Sequence, residues 1–333
     1  MIIDIHNHFY APKILEVIEQ QKFSKDIWIE KDSWDRKIIV QRGTRVVTIT
    51  EPMSNPEMRI EDMQTAGVEM QTLSLSIPSV DFFEPDAGYD FAQLSNNAIA
   101  EVCKQYPDHF LGFASVPLKD PDRAIKEAKR AITQLGMKGI CLGTNIDGQP
   151  IDHADFWPFF AEIEKLSVPI FIHPMTPAGS EAMKDYRLAP MIGFEMDLCL
   201  AVARILFSGL MDKYPTLTFI IAHLGGAIPY LIERIENCYK AYPECRELIS
   251  TNPSVYLHKM FFDTVSFHEP ALMCAYAFTT AHKMVMGSDY PHVIGDLNRA
   301  VTSIKDLSIP EKEKDMILGK NIEKMFGLNG YGP

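Results

Sequence analysis

The segment Ile2-Ile3-Asp4-Ile5-His6-Asn7-His8, at the start of the chain, decides how the rest of the sequence is interpreted. A short apolar run rich in β-branched residues predicts a buried strand. Alternate residues of a strand point to the same side, so His6 and His8 can face one point. Two imidazoles at the end of a buried strand could form half of a metal site. An ordinary strand that ends in polar residues explains these letters equally well, so the remaining ligands must be sought elsewhere.

Strand and helix patterns alternate regularly along most of the chain. We predict eight strands, each followed by helical sequence, at residues 1–8, 68–75, 110–116, 138–143, 168–173, 217–223, 255–264 and 283–289. Such alternation indicates parallel βα units, and eight of them indicate a (β/α)₈ TIM barrel. An open doubly wound sheet is the weaker alternative, because no glycine-rich dinucleotide fingerprint follows the first strand. We expect residues 1–333 to form a single barrel domain.

One segment, residues 23–51, interrupts this rhythm after the first strand. Two alternating runs, 37–41 and 45–50, flank Arg42-Gly43-Thr44 and predict a β-hairpin. We expect this insertion to cover the active-site end of the barrel.

Composition excludes several classes of partner and location. Of the 333 residues 47% are hydrophobic and 23% charged, and the net charge is −12, with no basic run. These values are ordinary for a globular protein and argue against nucleic acid or an anionic membrane as partner. The six cysteines are scattered without a C-x-x-C pair, which is typical of reduced thiols. With no signal-peptide pattern and no membrane-spanning apolar run, we expect a soluble, cytoplasmic protein.

The predicted strand ends carry an unusual set of polar residues. Barrel active sites lie at the C-terminal ends of the strands, and four of the ten histidines, together with one acid, fall there: His6, His8, His173, His223 and Asp289. Each histidine alone could be structural, but the joint pattern predicts a metalloenzyme. Three imidazoles and a carboxylate suit Zn²⁺, with Mn²⁺ as the alternative. His223 could be a fifth ligand, although a general acid or base is its better use. Asp263, near the end of strand seven, could orient a ligand histidine, but we favour an ordinary structural acid.

Three phrases carry a family resemblance that extends over nearly the whole chain: Phe171-Ile172-His173-Pro174, His223-Leu224-Gly225-Gly226-Ala227 and Ser288-Asp289-Tyr290-Pro291. They resemble the amidohydrolase superfamily and, within it, the aminocarboxymuconate-semialdehyde decarboxylase family. The resemblance implies that His6, His8, His173 and Asp289 bind a divalent metal and that His223 is the catalytic acid or base. One metal is expected, because the only lysine of strand four, Lys138, is at the wrong end for a carboxylated bridging ligand. The resemblance also implies a homodimer or larger homo-oligomer.

Three further positions are candidates for substrate binding. The resemblance places an arginine that grips the substrate carboxylate at Arg45, and a guanidinium suits that task, although a solvated hairpin charge is the alternative. Met175 stands where the decarboxylase often has a tryptophan, and His292 replaces an aromatic residue. His292 could donate to a substrate oxygen or be an ordinary polar loop residue.

These observations predict a metal-dependent non-oxidative decarboxylase, a carboxy-lyase, of a small unsaturated or aromatic carboxylic acid. The metal would chelate substrate oxygens or activate water, and His223 or Asp289 would deliver the proton to the carbon that loses CO₂. A metal-dependent hydrolase or hydratase, acting on a lactone, an amide or an activated double bond, is the alternative on this scaffold. A catalytically silent metal-dependent sensor or assembly subunit is disfavoured, because such a protein would have no need of His223 beside an open metal site.

Overall fold

Eight parallel strands form the barrel of the computed structural model, which describes residues 1–177, 179–183 and 185–328. In sheet order they are Ile3–His8, Met70–Ser74, Phe110–Ser115, Gly139–Gly143, Ile170–His173, Phe219–Ile221, Phe261–Asp263 and Met284–Val285. The ring closes where the first strand meets the segment after the last one. The amide of Ile5 donates to Met286 O (2.9 Å), and the amide of His8 donates to Tyr290 O (2.8 Å). The predicted (β/α)₈ barrel is confirmed.

Helices surround the barrel and several begin as the sequence dictates. Proline occupies the first position at Pro12, Pro56, Pro85 and Pro121, where its fixed φ suits a helix and its missing N–H costs nothing. The helices are Pro12–Glu19, Pro56–Ala66, Pro85–Gln105, Pro121–Thr133, Trp157–Leu166, Phe194–Phe207, Leu210–Lys213, Ile228–Ala241, Pro253–Leu257, Glu269–Thr279, Leu297–Lys305, Glu311–Asp315 and Asn321–Phe326.

The insertion after the first strand forms a small antiparallel sheet. The predicted hairpin is confirmed as Lys37–Gln41 paired with Thr44–Thr48. A third strand, Ile27–Lys31, which the sequence did not predict, pairs antiparallel with the free edge of Lys37–Gln41. Arg42 and Gly43 both have positive φ (48° and 78°), which is the backbone of a tight hairpin turn.

The boundaries predicted for strands seven and eight are wrong. Strand seven was expected over 255–264, but Pro253–Leu257 is a helix and only Phe261–Asp263 is strand. Pro253 occupies the first position of this helix, and the apolar residues that follow it pack as part of the helix. A short apolar run does not by itself distinguish a buried helix from a buried strand. Strand eight is shorter than expected because the amide of Met286 donates to Ile317 O instead of to the sheet.

No helix among the described residues is both long enough and apolar enough to cross a membrane.

Candidate metal centre and active site

His6 and His8 end the first barrel strand, and their side chains meet at the barrel rim. Both are fully buried, and their Nε2 atoms lie 3.2 Å apart. Every residue of this strand is buried, so the alternation that turns the two imidazoles to one side is fixed by the packing of the barrel.

Asp289 joins the pair from the segment after the last strand. Its Oδ1 lies 3.3 Å from Nε2 of His6 and 3.2 Å from Nε2 of His8. The backbone of Asp289 is left-handed (φ +55°), a conformation that costs energy in a non-glycine residue and is characteristic of functional sites. Gly287 makes the approach possible, since a Cβ there would come within 2.8 Å of Cβ of His6.

His173, His223 and His292 complete the cluster. Ligand atoms of His6, His173, His223 and Asp289 all lie within 4.8 Å of one another, and those of His8, Asp289 and His292 form a second, overlapping group. His223 also has left-handed backbone (φ +48°), held by a hydrogen bond from Gly226 N to its carbonyl (2.8 Å). The structure therefore brings together all five predicted strand-end residues and adds His292.

The donor set fits a divalent metal. Nitrogen and oxygen ligands on one tetrahedral zinc, with bonds of about 2.0–2.1 Å, are about 3.3 Å apart, close to the separations within His6, His8 and Asp289. Nδ1 of His173 is buried and has no hydrogen-bond partner among the described residues. An unpaired buried nitrogen is costly, and a metal bond would satisfy it. Neutral imidazoles and a carboxylate are the ligands that zinc prefers.

Electrostatics keep most of this cluster in the form that a metal needs. Burial lowers the pKa of His8 to about 3, with His292 and His6 adding to the effect, and burial and the neighbouring imidazoles put the pKa of His173 well below its usual range. Burial alone would raise the pKa of Asp289, but His292, His6 and His8 hold it well below its ordinary value. Two neutral imidazoles and an ionised carboxylate result.

His6 differs because a second acid stands behind it. Burial would lower its pKa, but the charges of Asp263 and Asp289 outweigh burial and raise it to about 10. Oδ2 of Asp263 lies 2.5 Å from Nδ1 of His6, and both side chains are fully buried. The carboxylate of Asp263 contacts a residue of the cluster directly, which favours the role of orienting a histidine over our preferred interpretation of Asp263 as an ordinary structural acid.

A buried hydrogen-bond network fixes the strand that carries the two histidines. Arg59 is fully buried and donates to His8 O (2.7 Å), Asn7 Oδ1 (2.8 Å) and Gln71 Oε1 (2.9 Å). On the other side, Ser288 Oγ donates to Asp4 Oδ2 (2.6 Å), which ties the first strand to the segment before Asp289. The sequence offered no signal for Arg59, because a buried arginine on a helix looks like a surface charge until its acceptors are known.

A cavity of about 380 Å³ opens above the cluster. Its walls come from the insertion, from the loop after strand five and from the loops after the last two strands; they include Arg36, Val46, Val47, Thr48, Arg187, Pro190, Phe194, Glu195, Val265, Phe267, His292 and Ile294. Its floor contains His173, His223 and Asp289. A larger cavity of about 620 Å³ lies beside Phe110 and Leu111, at the beginning of strand three and thus at the opposite end of the barrel.

Two of the predicted substrate residues lie outside this cavity. The side chain of Arg45 is 47% exposed and pairs with Glu30 (2.7 Å), while its carbonyl accepts a hydrogen bond from Arg187 Nη1 (2.6 Å). Met175 is buried and lines a neighbouring cavity of about 300 Å³. The arginines that line the cavity above the cluster are Arg36 and Arg187, which the sequence did not single out.

The geometry can be compared with known proteins. The family model described as amidohydrolase matches residues 3–328. The chain is 32% identical over 335 aligned positions to 2-amino-3-carboxymuconate-6-semialdehyde decarboxylase of Dictyostelium discoideum, covering 98% of this chain and 92% of that protein. It is 30% identical to gamma-resorcylate decarboxylase of Rhodococcus jostii, covering 82% and 88%. The crystal structure of a dihydroxybenzoic acid decarboxylase from Polaromonas sp., solved with bound manganese and the inhibitor 2-nitroresorcinol, superimposes with a TM-score of 0.79 at 25% identity, covering 98% of this chain and 97% of that one.

Proposed function

Because the chain belongs to the amidohydrolase family, we infer that it is a mononuclear metal-dependent decarboxylase. The enzyme removes CO₂ non-oxidatively from a small unsaturated or aromatic carboxylic acid, as the names of its relatives suggest. The observation that carries this proposal is the convergence of three imidazoles and a carboxylate at one barrel rim, with a further histidine beside them and a cavity above.

His6, His8, His173 and Asp289 are the proposed ligands of one divalent metal. Zn²⁺ is our first choice, since histidine and carboxylate donors suit it, and Mn²⁺ is the alternative, which the manganese bound to the Polaromonas relative supports. When bound, the metal would supply electrophilic stabilisation of negative charge on substrate oxygens.

The protein's own residues must then stabilise the negative charge left by decarboxylation and supply a proton to the substrate carbon. Cleavage of the bond to the carboxylate releases CO₂ and leaves an electron pair on the substrate carbon, which must be protonated. His223 lines the floor of the cavity and would act as the acid. Asp289 is the alternative donor, but its ionised carboxylate would first have to take up a proton, and either residue would be reprotonated from solvent before the next turnover. The low-dielectric walls of the cavity strengthen these electrostatic interactions.

Arg45, His292 and Met175 remain our proposed substrate-binding residues. His292 is supported by its place in the cavity wall, where Nε2 lies 3.3 Å from Ser76 Oγ and could donate to a substrate oxygen. Arg45 is supported only indirectly, through the hydrogen bond by which its carbonyl holds Arg187 at the cavity. Met175 would act from the neighbouring cavity.

The wider organisation is proposed on similar grounds. Residues 1–333 would form one barrel domain, and residues 23–51 would cover its active-site end, which the presence of Arg36, Val46 and Thr48 in the cavity wall supports.

A homodimer or larger homo-oligomer is supported by an exposed apolar stripe: Met191 (60% exposed), Met196 (46%) and Leu200 (56%). A cytoplasmic location is supported by the cysteines, all six of which are free.

A panel assay tests the function. The zinc- or manganese-loaded protein is incubated with hydroxybenzoates, other aromatic acids and unsaturated dicarboxylic acids, and CO₂ release is measured. A parallel panel of lactones, amides and activated double bonds tests the hydrolase and hydratase alternative. We expect CO₂ from at least one acid. Hydrolysis or hydration without CO₂ release would overturn the decarboxylase, and no turnover on either panel would favour the silent sensor.

A further inference from the structure

Glu195 is a carboxylate in the active-site cavity that the proposed mechanism has not used. It lies in the first turn of helix Phe194–Phe207, and its Oε1 is 3.5 Å from Nδ1 of His223. The two side chains line the same cavity, and both are largely removed from solvent, with 29% of the Glu195 side chain and 12% of the His223 side chain exposed. Burial raises the pKa of Glu195.

The backbone on both sides of this pair is locked together. Gly226 passes so close to the helix that a Cβ there would collide with the carbonyl oxygen of Glu195, and its φ is +60°. One turn further along the helix, Cys199 Sγ accepts a hydrogen bond from Ala227 N (3.1 Å) and lies 3.7 Å from Gly225 O. The loop that carries His223 is therefore held against the helix that carries Glu195, and the distance between the two side chains is a product of packing, not of a mobile surface contact.

Neither member of the pair has a competing partner in the part of the chain that the structure describes. Among the described residues, Glu195 has no other cationic side chain within ion-pair distance, and no acceptor other than Glu195 approaches Nδ1 of His223. A separation of 3.5 Å is long for a hydrogen bond, but contacts of this kind in a ligand-free site commonly tighten when substrate binds. A carboxylate behind an imidazole selects the tautomer with the proton on Nδ1 and holds the ring in one orientation.

We propose that Glu195 is a positioning residue for His223. Its carboxylate accepts a hydrogen bond from Nδ1–H both before and after the ring is protonated, and so keeps Nε2, the nitrogen that takes a proton from solvent and passes it to the substrate carbon, turned toward the cavity. The inference rests on the proposed function of His223, but its central claim concerns a tautomer and a ring orientation, which can be observed without any substrate.

The first arm of the test is kinetic and uses the acid that releases CO₂ most rapidly. Glu195→Met removes the acceptor at similar length, Glu195→Gln keeps an oxygen that can accept from Nδ1–H, and Glu233→Met removes an exposed helical carboxylate elsewhere. We expect Glu195→Met to lower kcat roughly 10- to 100-fold with KM and metal content little changed, and Glu195→Gln to recover most of that loss. A loss confined to KM, or equal losses in the two Glu195 variants, would overturn the inference, as would full activity of Glu195→Met.

The second arm does not depend on activity. In the zinc-loaded protein labelled with ¹⁵N-histidine, the signals of His223 are assigned by their disappearance in His223→Asn. At a pH at which the ring of His223 is neutral, we expect the Nδ1–H tautomer in the wild type and in Glu195→Gln, and a mixture of tautomers in Glu195→Met. An Nε2–H tautomer in the wild type, or an unchanged tautomer in Glu195→Met, would overturn the inference. If no acid releases CO₂, the proposed function fails while this arm still decides the role of Glu195.

Discussion

Oδ2 of Asp263 lies 2.5 Å from Nδ1 of His6, behind the face that His6 turns to the candidate metal centre. The other oxygen of the same carboxylate accepts hydrogen bonds from Val265 N (3.0 Å) and Leu224 N (3.3 Å). One acid thus orients a proposed ligand and also holds the segment that follows His223. A carboxylate behind a metal-binding histidine fixes its tautomer and raises its basicity.

Replacing Asp263 should therefore weaken metal binding. We expect Asp263→Asn to lower the affinity for Zn²⁺ roughly 10- to 100-fold, because the amide holds the ring of His6 less firmly and lacks the charge. Competition with a chromogenic chelator measures the effect, and Asp155→Asn, at a side chain that is 74% exposed, is the control. An unchanged affinity would mean that Asp263 serves only the backbone of its own loop.

Replacing His223 and replacing His6 should have different effects on activity and on metal content. His223→Asn is expected to lower kcat by roughly 10²- to 10⁴-fold while metal content is retained, because a general acid is lost but the ligands are not. His6→Asn should lose the metal itself. Metal analysis of both purified variants distinguishes the roles, and loss of metal from His223→Asn would show that His223 is a ligand.

Metal removal should lower stability as well as activity. Nδ1 of His173 has no hydrogen-bond partner within the described ranges, and the candidate ligands are closely spaced. A metal that binds only the folded state should therefore raise Tm in a concentration-dependent way. We expect chelation to abolish CO₂ release, and Zn²⁺ or Mn²⁺ to restore both activity and Tm, whereas Mg²⁺ should not. Full activity in the thoroughly chelated protein would contradict the metal-dependent mechanism.

Arg187 should contribute more to substrate binding than Arg45. Arg187 lines the cavity, and partial burial and the nearby positive charges of Arg45 and Arg36 lower its pKa. A bound anion would offset the repulsion among these positive charges. For a substrate with a second anionic group, Arg187→Met should raise KM roughly tenfold or more, and Arg45→Met less, since it keeps the carbonyl that holds Arg187. A larger increase in Arg45→Met would restore the gripping role to Arg45.

A buried acid away from the metal centre should make stability depend on pH. Burial raises the pKa of Asp81 from 3.8 to about 7, although its Oδ1 accepts from Lys119 N (3.0 Å). The folded state therefore binds this proton more tightly than the unfolded state. The resulting stabilisation is fully present below about pH 4 and is lost as pH rises to about 7, with an upper limit of about 4 kcal/mol.

Asp81→Asn cannot titrate, so the free energy of unfolding of the wild type relative to this variant should fall between about pH 4 and about pH 7. Denaturant unfolding at several pH values measures the difference. Parallel pH profiles for the two proteins would show that Asp81 has an ordinary pKa in the folded state.

Much of the site was predictable because the barrel converts sequence position into spatial position. Parallel strands bring all their carboxyl ends to one rim, so His6, His8, His173, His223 and Asp289 could be grouped from the ends of predicted strands alone. The hairpin was equally local, since Arg42 and Gly43 carry the turn and the flanking residues alternate. Strand seven failed because a short apolar run fits a helix or a strand.

The contacts that tune the site were decided only by the tertiary structure. Asp263 meets His6 across 257 residues of sequence, and Glu195 meets His223 because Gly226 lets the loop after His223 pack closely against the helix that carries Glu195. Arg45 was expected at the substrate, but its side chain pairs with Glu30 and only its carbonyl acts toward the cavity, through Arg187. The period of a strand determines which face a side chain takes, whereas partners from distant segments depend on how loops fold over the rim, and no local pattern encodes that.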